Sequence, residues 1–109
     1  MKTITYYRTK RGRDGIIYEP ARGYEYNIVD HRAVASVVIG RTPTGRWTIT
    51  HAGSGYLASP RSYKTRKEAE NALTPDLCAA IIEKLLTPEM TAACQRLAEY
   101  LNPERGRAC

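Results

Sequence analysis

Around residue 60 the hydrophobic period of this chain changes, and that change decides its class. Up to Ser59, β-branched, aromatic and aliphatic residues alternate with polar ones, the period-two pattern of strands. From Thr65 onward apolar residues recur at intervals of three and four, the pattern of amphipathic helices. Strands first and helices after predict an α+β domain, with an antiparallel sheet in the N-terminal two-thirds, then a helix and a C-terminal helical hairpin. A chain of 109 residues holds one domain and one modest core.

In the strand half, Ile4, Tyr6 and Arg8 alternate with Thr3, Thr5 and Tyr7. The segment KRGRDG (10–15) predicts a turn, with Asp14-Gly15 suited to positive φ, leading into IIYE (16–19). Pro20 and Gly23 predict a break before a further strand at 24–29, where Tyr24, Tyr26 and Ile28 share a face opposite Glu25 and Asn27. AVASVVI (33–39) is apolar on both faces, the mark of a central strand. RTPTG (41–45) turns the chain into WTITH (47–51), and GSG (53–55) turns it into a last strand, YLAS (56–59). The sheet is expected from residue 2 to about 59.

Thr65, followed by Glu68, reads as a capping box for a helix over 66–73 that buries Ala69, Ala72 and Leu73. TPD (74–76) and TPE (87–89) open two more helices in nearly the same words. In each, Thr caps, Pro takes the first helical position and an acid sits at the positive end of the helix dipole. Leu77, Ile81 and Leu85, with Cys78 and Ile82, form one stripe; Met90, Cys94, Leu97 and Leu101 form the other. They predict a hairpin over 74–103, its apolar faces packed on each other and on the sheet, with Cys78 and Cys94 at similar height. Residues 104–109 read as a polar tail with a free Cys109.

The net charge of +6 is unevenly distributed: residues 1–73 carry 13 Lys/Arg against 6 Asp/Glu, and residues 74–109 carry 4 against 5. Seven of the eight tyrosines and the single tryptophan also precede residue 74. Two clusters stand out: Arg8, Lys10, Arg11 and Arg13 after a pair of tyrosines, and Arg61, Lys64, Arg66 and Lys67 before a helix start. Such clusters attract phosphate backbones through counterion release, and Tyr24 and Tyr26 offer rings on which bases can stack. The basic part, 1–73, is thus expected to carry the binding surface, with the hairpin as support.

Other chemistry is poorly represented. No run approaches the roughly 18 apolar residues of a membrane span, and the first residues lack the apolar core of a secretory signal. Three cysteines in unrelated contexts do not make a disulfide framework, so a cytosolic, reducing compartment is expected. No Cys/His spacing suits a metal, and no cofactor is expected. HAGSG (51–55) matches neither a Walker loop nor a nucleophile elbow and reads as a hairpin turn. His31 and His51, with Glu25 or Asp30 as neighbours, read as strand-end residues rather than general bases.

Two local resemblances bear on function. In RGYEYNIV (22–29), Arg22, Gly23, Tyr24 and Tyr26 match the aromatic strand of an RNA-recognition motif, but the helix that must precede that strand has no room here. Residues 33–73, through Gly45, Trp47, the turn at Gly53 and Gly55, and KTRKEAENAL (64–73), are similar to the sheet-plus-helix modules of phage integrase arms and AP2-type domains. That likeness covers under half of the chain and implies a sheet that enters the major groove. Taken whole, a short, basic α+β chain without a catalytic signature resembles, in type and not in motif, the small accessory proteins of phages and plasmids, anti-CRISPR proteins among them. The resemblance implies a non-enzymatic binding protein in the bacterial host cytoplasm, docking on a nucleoprotein complex through its basic, Tyr-rich surface, as an inhibitor. The alternative is a direct DNA- or RNA-binding module, and a small nuclease using Arg, Lys and Tyr around a scissile phosphate ranks below both.

Overall fold

The computed structural model describes residues 2–102. Four strands, β1 (Thr3–Gly12), β2 (Gly15–Val29), β3 (Val34–Arg41) and β4 (Trp47–His51), form one antiparallel meander in the order β1-β2-β3-β4. Three helices follow: α1 (Arg66–Ala72), α2 (Pro75–Leu85) and α3 (Pro88–Leu101). The fold is α+β, as the change of period predicts.

Two strand boundaries differ from expectation. Pro20 and Gly23 do not break the chain, because β2 runs unbroken for 15 residues. β3 pairs with β2 only from Gly23 to Val29, so the stretch from 15 to 22 has β1 on one side and no strand on the other. A proline is tolerated on such an open side, where its missing N–H interrupts no ladder. YLAS (56–59) is not a fifth strand either: Leu57 and, beyond it, Tyr63 make isolated antiparallel bridges to Thr50 and Trp47. In the β1–β2 turn only Gly15 takes positive φ (129°), while Asp14 does not.

α1 and α2 cover one face of the sheet, where Ile28, Val37, Ile39 and Ile49 form the core with Ala69, Cys78, Ile81 and Ile82. The opposite face of β3 is equally dry, for Val38 is fully buried beside Val37 and Ile39. No described helix packs there; the sheet curls instead. The Thr9 N–H of β1 donates to the carbonyl of Gly55, just past β4, at 2.9 Å. Inside that curl the Tyr6 ring crosses Gly23 and Gly40, where a Cβ at Gly40 would overlap Tyr6 Oη.

The three threonine caps form as expected. Thr65 Oγ1 accepts from the Glu68 N–H (3.1 Å), Thr74 Oγ1 from Leu77 (3.3 Å) and Thr87 Oγ1 from Met90 (3.4 Å). The Glu68 carboxylate reaches the Lys64 N–H (3.0 Å) rather than that of the cap itself. The C-terminal helical hairpin forms, but its two helices pack less on each other than expected, because α2 and α3 meet only briefly. α2 buries Cys78, Ile81 and Ile82 in the core, whereas α3 buries Ala93 and Leu97 and lies toward β1 and β2. There Tyr100 packs against Tyr18 and Tyr7, with ring centroids 4.8 and 6.3 Å away. The polar tail 104–109, Cys109 included, lies outside the described residues.

Candidate nucleic-acid interface

The β1–β2 hairpin ends in an arm whose residues Lys10, Arg11, Arg13, Ile16 and Ile17 are exposed. Near its base, Arg8 borders two adjoining recesses. One, of about 390 Å³, is lined by Arg8, Arg41, Thr42, Pro43 and Gly45. The other, of about 240 Å³, is lined by Arg8, Thr9, Lys10, Glu19, Thr42 and Pro43. The arm therefore sits against the β3–β4 turn, with Arg8 beside Arg41 in the first recess and Lys10 in the second.

The same turn reaches the second cluster. Arg46 donates through Nε to Ser62 Oγ (3.1 Å) and through Nη2 to the Ser62 carbonyl (3.0 Å). The Trp47–Tyr63 bridge holds the following segment alongside, with Arg61, Lys64 and Lys67 exposed. Basic clusters about 50 residues apart in sequence thus flank one turn that adds Arg41 and Arg46. Sequence reasoning missed these two arginines because each is isolated in the chain. Their signal lay in topology, since a turn between β3 and β4 must approach whatever the curl of the sheet brings over it.

Several expected site residues have internal partners. Arg66 lies over the Tyr24 ring, its guanidinium carbon 4.2 Å from the centroid. Tyr26 Oη donates to Glu70 Oε2 (3.2 Å), and burial, with Glu70 beside it, pushes that phenol upward. Both tyrosines are half-buried under α1 and do not form an open stacking platform. Arg8 Nη2 and Lys10 Nζ lie 3.9 and 4.0 Å from Glu19, loose pairs beyond hydrogen-bond length. The Nε of Arg8 is enclosed and has no acceptor among the described residues. The hydroxyls of Tyr6, Thr48 and Thr50 share that condition.

The histidines lie elsewhere. His31 belongs to the β2–β3 turn, and His51 ends β4, paired with Val37 at the far end from the 42–46 turn. His51 Nδ1 is 2.8 Å from Ser54 Oγ, and burial holds the imidazole below its ordinary value. Cys94 Sγ lies 3.6 Å from where a Cβ on the nearby Gly53 would stand, and burial pushes its thiol upward. Both shifts favour neutral forms, the opposite of a thiolate–imidazolium pair. Cys78 sits apart in the core, its thiol likewise pushed upward by burial. Among the described residues no group of three His, Cys, Asp or Glu is placed to hold a metal, and no helix is long and apolar enough to cross a membrane. No protein-family model, no curated protein and no solved structure matches this chain.

Proposed function

We propose that this chain is a non-enzymatic nucleic-acid-binding protein that grips phosphate backbone with the arm, the 42–46 turn and the 61–67 segment. One observation carries the reading: Arg8 meets Arg41 in one recess at Thr42 and Pro43, Lys10 lines the adjoining recess, and Arg46 ties the second basic cluster to the same turn. Basic residues from three parts of the chain around one turn can neutralise successive phosphates and release their counterions. A two-stranded arm also has the width that the major groove admits. The reading needs neither metal nor cofactor and implies a cytosolic protein.

The test is fluorescence anisotropy with labelled double-stranded DNA, single-stranded DNA and RNA across a salt series. Affinity should fall steeply with salt, and neutralising Lys10, Arg11 or Arg13 should flatten the log–log slope by about one unit each. Failure to bind any of the three at low salt would overturn the reading.

A second reading has its own observation. Ile16 and Ile17 are 41% and 53% exposed on the arm, and apolar anchors beside arginines suit a protein partner. The chain would then dock on a nucleoprotein complex in a bacterial host, as an inhibitor of the anti-CRISPR type. Under that reading the salt slope is shallow, and replacing both isoleucines by serine weakens capture of the complex more than any single charge change does.

A further inference from the structure

We infer that the recess between Arg8 and Arg41 is a seat for one phosphate group. The inference rests on the nucleic-acid reading and sharpens it: most phosphates would meet mobile exposed charges, and one would be held by directed hydrogen bonds.

Three features of the recess carry this. First, Arg8, Arg41, Thr42, Pro43 and Gly45 line it, without a carboxylate. Glu19 borders the neighbouring recess, and its 3.9 Å approach to Arg8 is too long for a hydrogen bond. Second, Arg8 is largely buried, its side chain only 21% exposed, so its guanidinium is held at the wall of the recess rather than free in solvent. Third, Arg41 folds back over the turn, with Nη2 and Nε 3.6 and 4.0 Å from where a Cβ on Gly45 would stand. Gly45, at φ 85°, keeps that side of the turn bare beneath the guanidinium.

The space is about 390 Å³, far more than the roughly 30 Å³ share of a single water. Two guanidinium forks around it match the tetrahedral oxygens of a phosphate, which each can hold bidentately. The Thr42 side chain, itself at hydrogen-bond distance from Thr44 (2.9 Å), adds a hydroxyl at the rim. Lysine could supply the charge but not the fork, so the two arginines are expected to be specific in kind.

The experiment titrates ¹⁵N-labelled protein with inorganic phosphate at constant ionic strength and follows the arginine Nε–H signals. Those of Arg8 and Arg41 should move together on one saturating curve, while Arg11 and Arg13 move little. Arg8→Lys, checked for an unchanged melt, should weaken phosphate binding roughly tenfold or more despite its retained charge. The wild-type signals give the answer even if that variant folds poorly. A 5′-phosphorylated oligonucleotide that outcompetes its 5′-hydroxyl twin for the Arg8 signal would support a seat for a terminal phosphate; equal competition would support one for a backbone diester.

The seat is overturned if Arg8 and Arg41 respond no more than Arg11 and Arg13, or if folded Arg8→Lys binds phosphate like the wild type. Oligonucleotide binding that survives such a result leaves the general reading standing. Loss of both overturns both.

Discussion

An arginine stands near each end of β3, and the two are used differently. At its start, Arg32 is consumed by the fold. Its guanidinium donates to Asp30 at 2.6 and 2.9 Å and to the Ala79 carbonyl of α2 at 2.9 Å. At its end, Arg41 is exposed over a recess shared with Arg8, and no carboxylate lines that recess. The first end is a staple between sheet and helix, and the second is a surface with donors to spare. An arginine is informative about function only after its partners are counted, which no tally of charge along a sequence can do.

The strongest way to break the comparison is to remove the support under the arm. Leu97, the most deeply buried leucine stripe position of α3 at 2% exposure, holds that helix in place. Leu97→Asp should cost about 3 kcal/mol or more, read by circular dichroism melts. A variant that melts like the wild type would remove α3 from the account. Next in size, replacing Lys10, Arg11, Arg13 and Arg41 together by Gln should weaken nucleic-acid binding roughly a hundredfold while leaving the melt nearly unchanged. Equal losses in binding and stability would erase the distinction between the two ends.

A smaller effect tests the foot of the arm. Tyr100→Ala, which removes the ring contacts to Tyr7 and Tyr18, should lower stability by about 1 kcal/mol and binding only severalfold. Arg32→Gln should do the reverse of the four-residue change, lowering the melting temperature slightly with binding intact. If it weakens binding as much as Arg41→Gln does, the first end belongs to the surface too. The smallest effect concerns pH. Burial holds His51 below the ordinary imidazole value, so the unfolded chain takes up its proton first. The stability this site contributes is complete above about pH 6.5 and is lost progressively as pH falls below that toward the lower folded value, and His51→Gln should flatten that dependence.

The local parts of this fold were legible because they rest on neighbours in sequence. The caps at Thr65, Thr74 and Thr87 follow from three-residue spacings, and the two-faced burial of Val37, Val38 and Ile39 follows from an uninterrupted apolar run. The errors came where tertiary context overrides a local rule. Pro20 reads as a breaker until β3 is known to stop short of it, and Leu57 reads as strand although it makes only one bridge. The candidate site divides in the same way. Lys10, Arg11 and Arg13 are exposed as their clustering suggests, whereas Tyr24 and Tyr26 serve α1, a role invisible without the helix laid over them.

The position of Pro20 has a consequence for behaviour at high concentration. Along β2 from 15 to 22 a row of backbone groups faces no strand, and such a row is a template on which a second molecule can add. Thr9 turns its N–H away from β2 toward Gly55, so in an antiparallel pair the alternation turns the nitrogens of Tyr18 and Pro20 outward as well. In the middle of the open row there is thus a nitrogen with no hydrogen to give, and a docking strand would lose a bond there. Among the described residues β4 has its outer side occupied at Leu57 and Tyr63, and β1 at Thr9. Pro20 therefore interrupts strand addition along the open row of β2, and Pro20→Thr is expected to raise self-association at high concentration, read by light scattering.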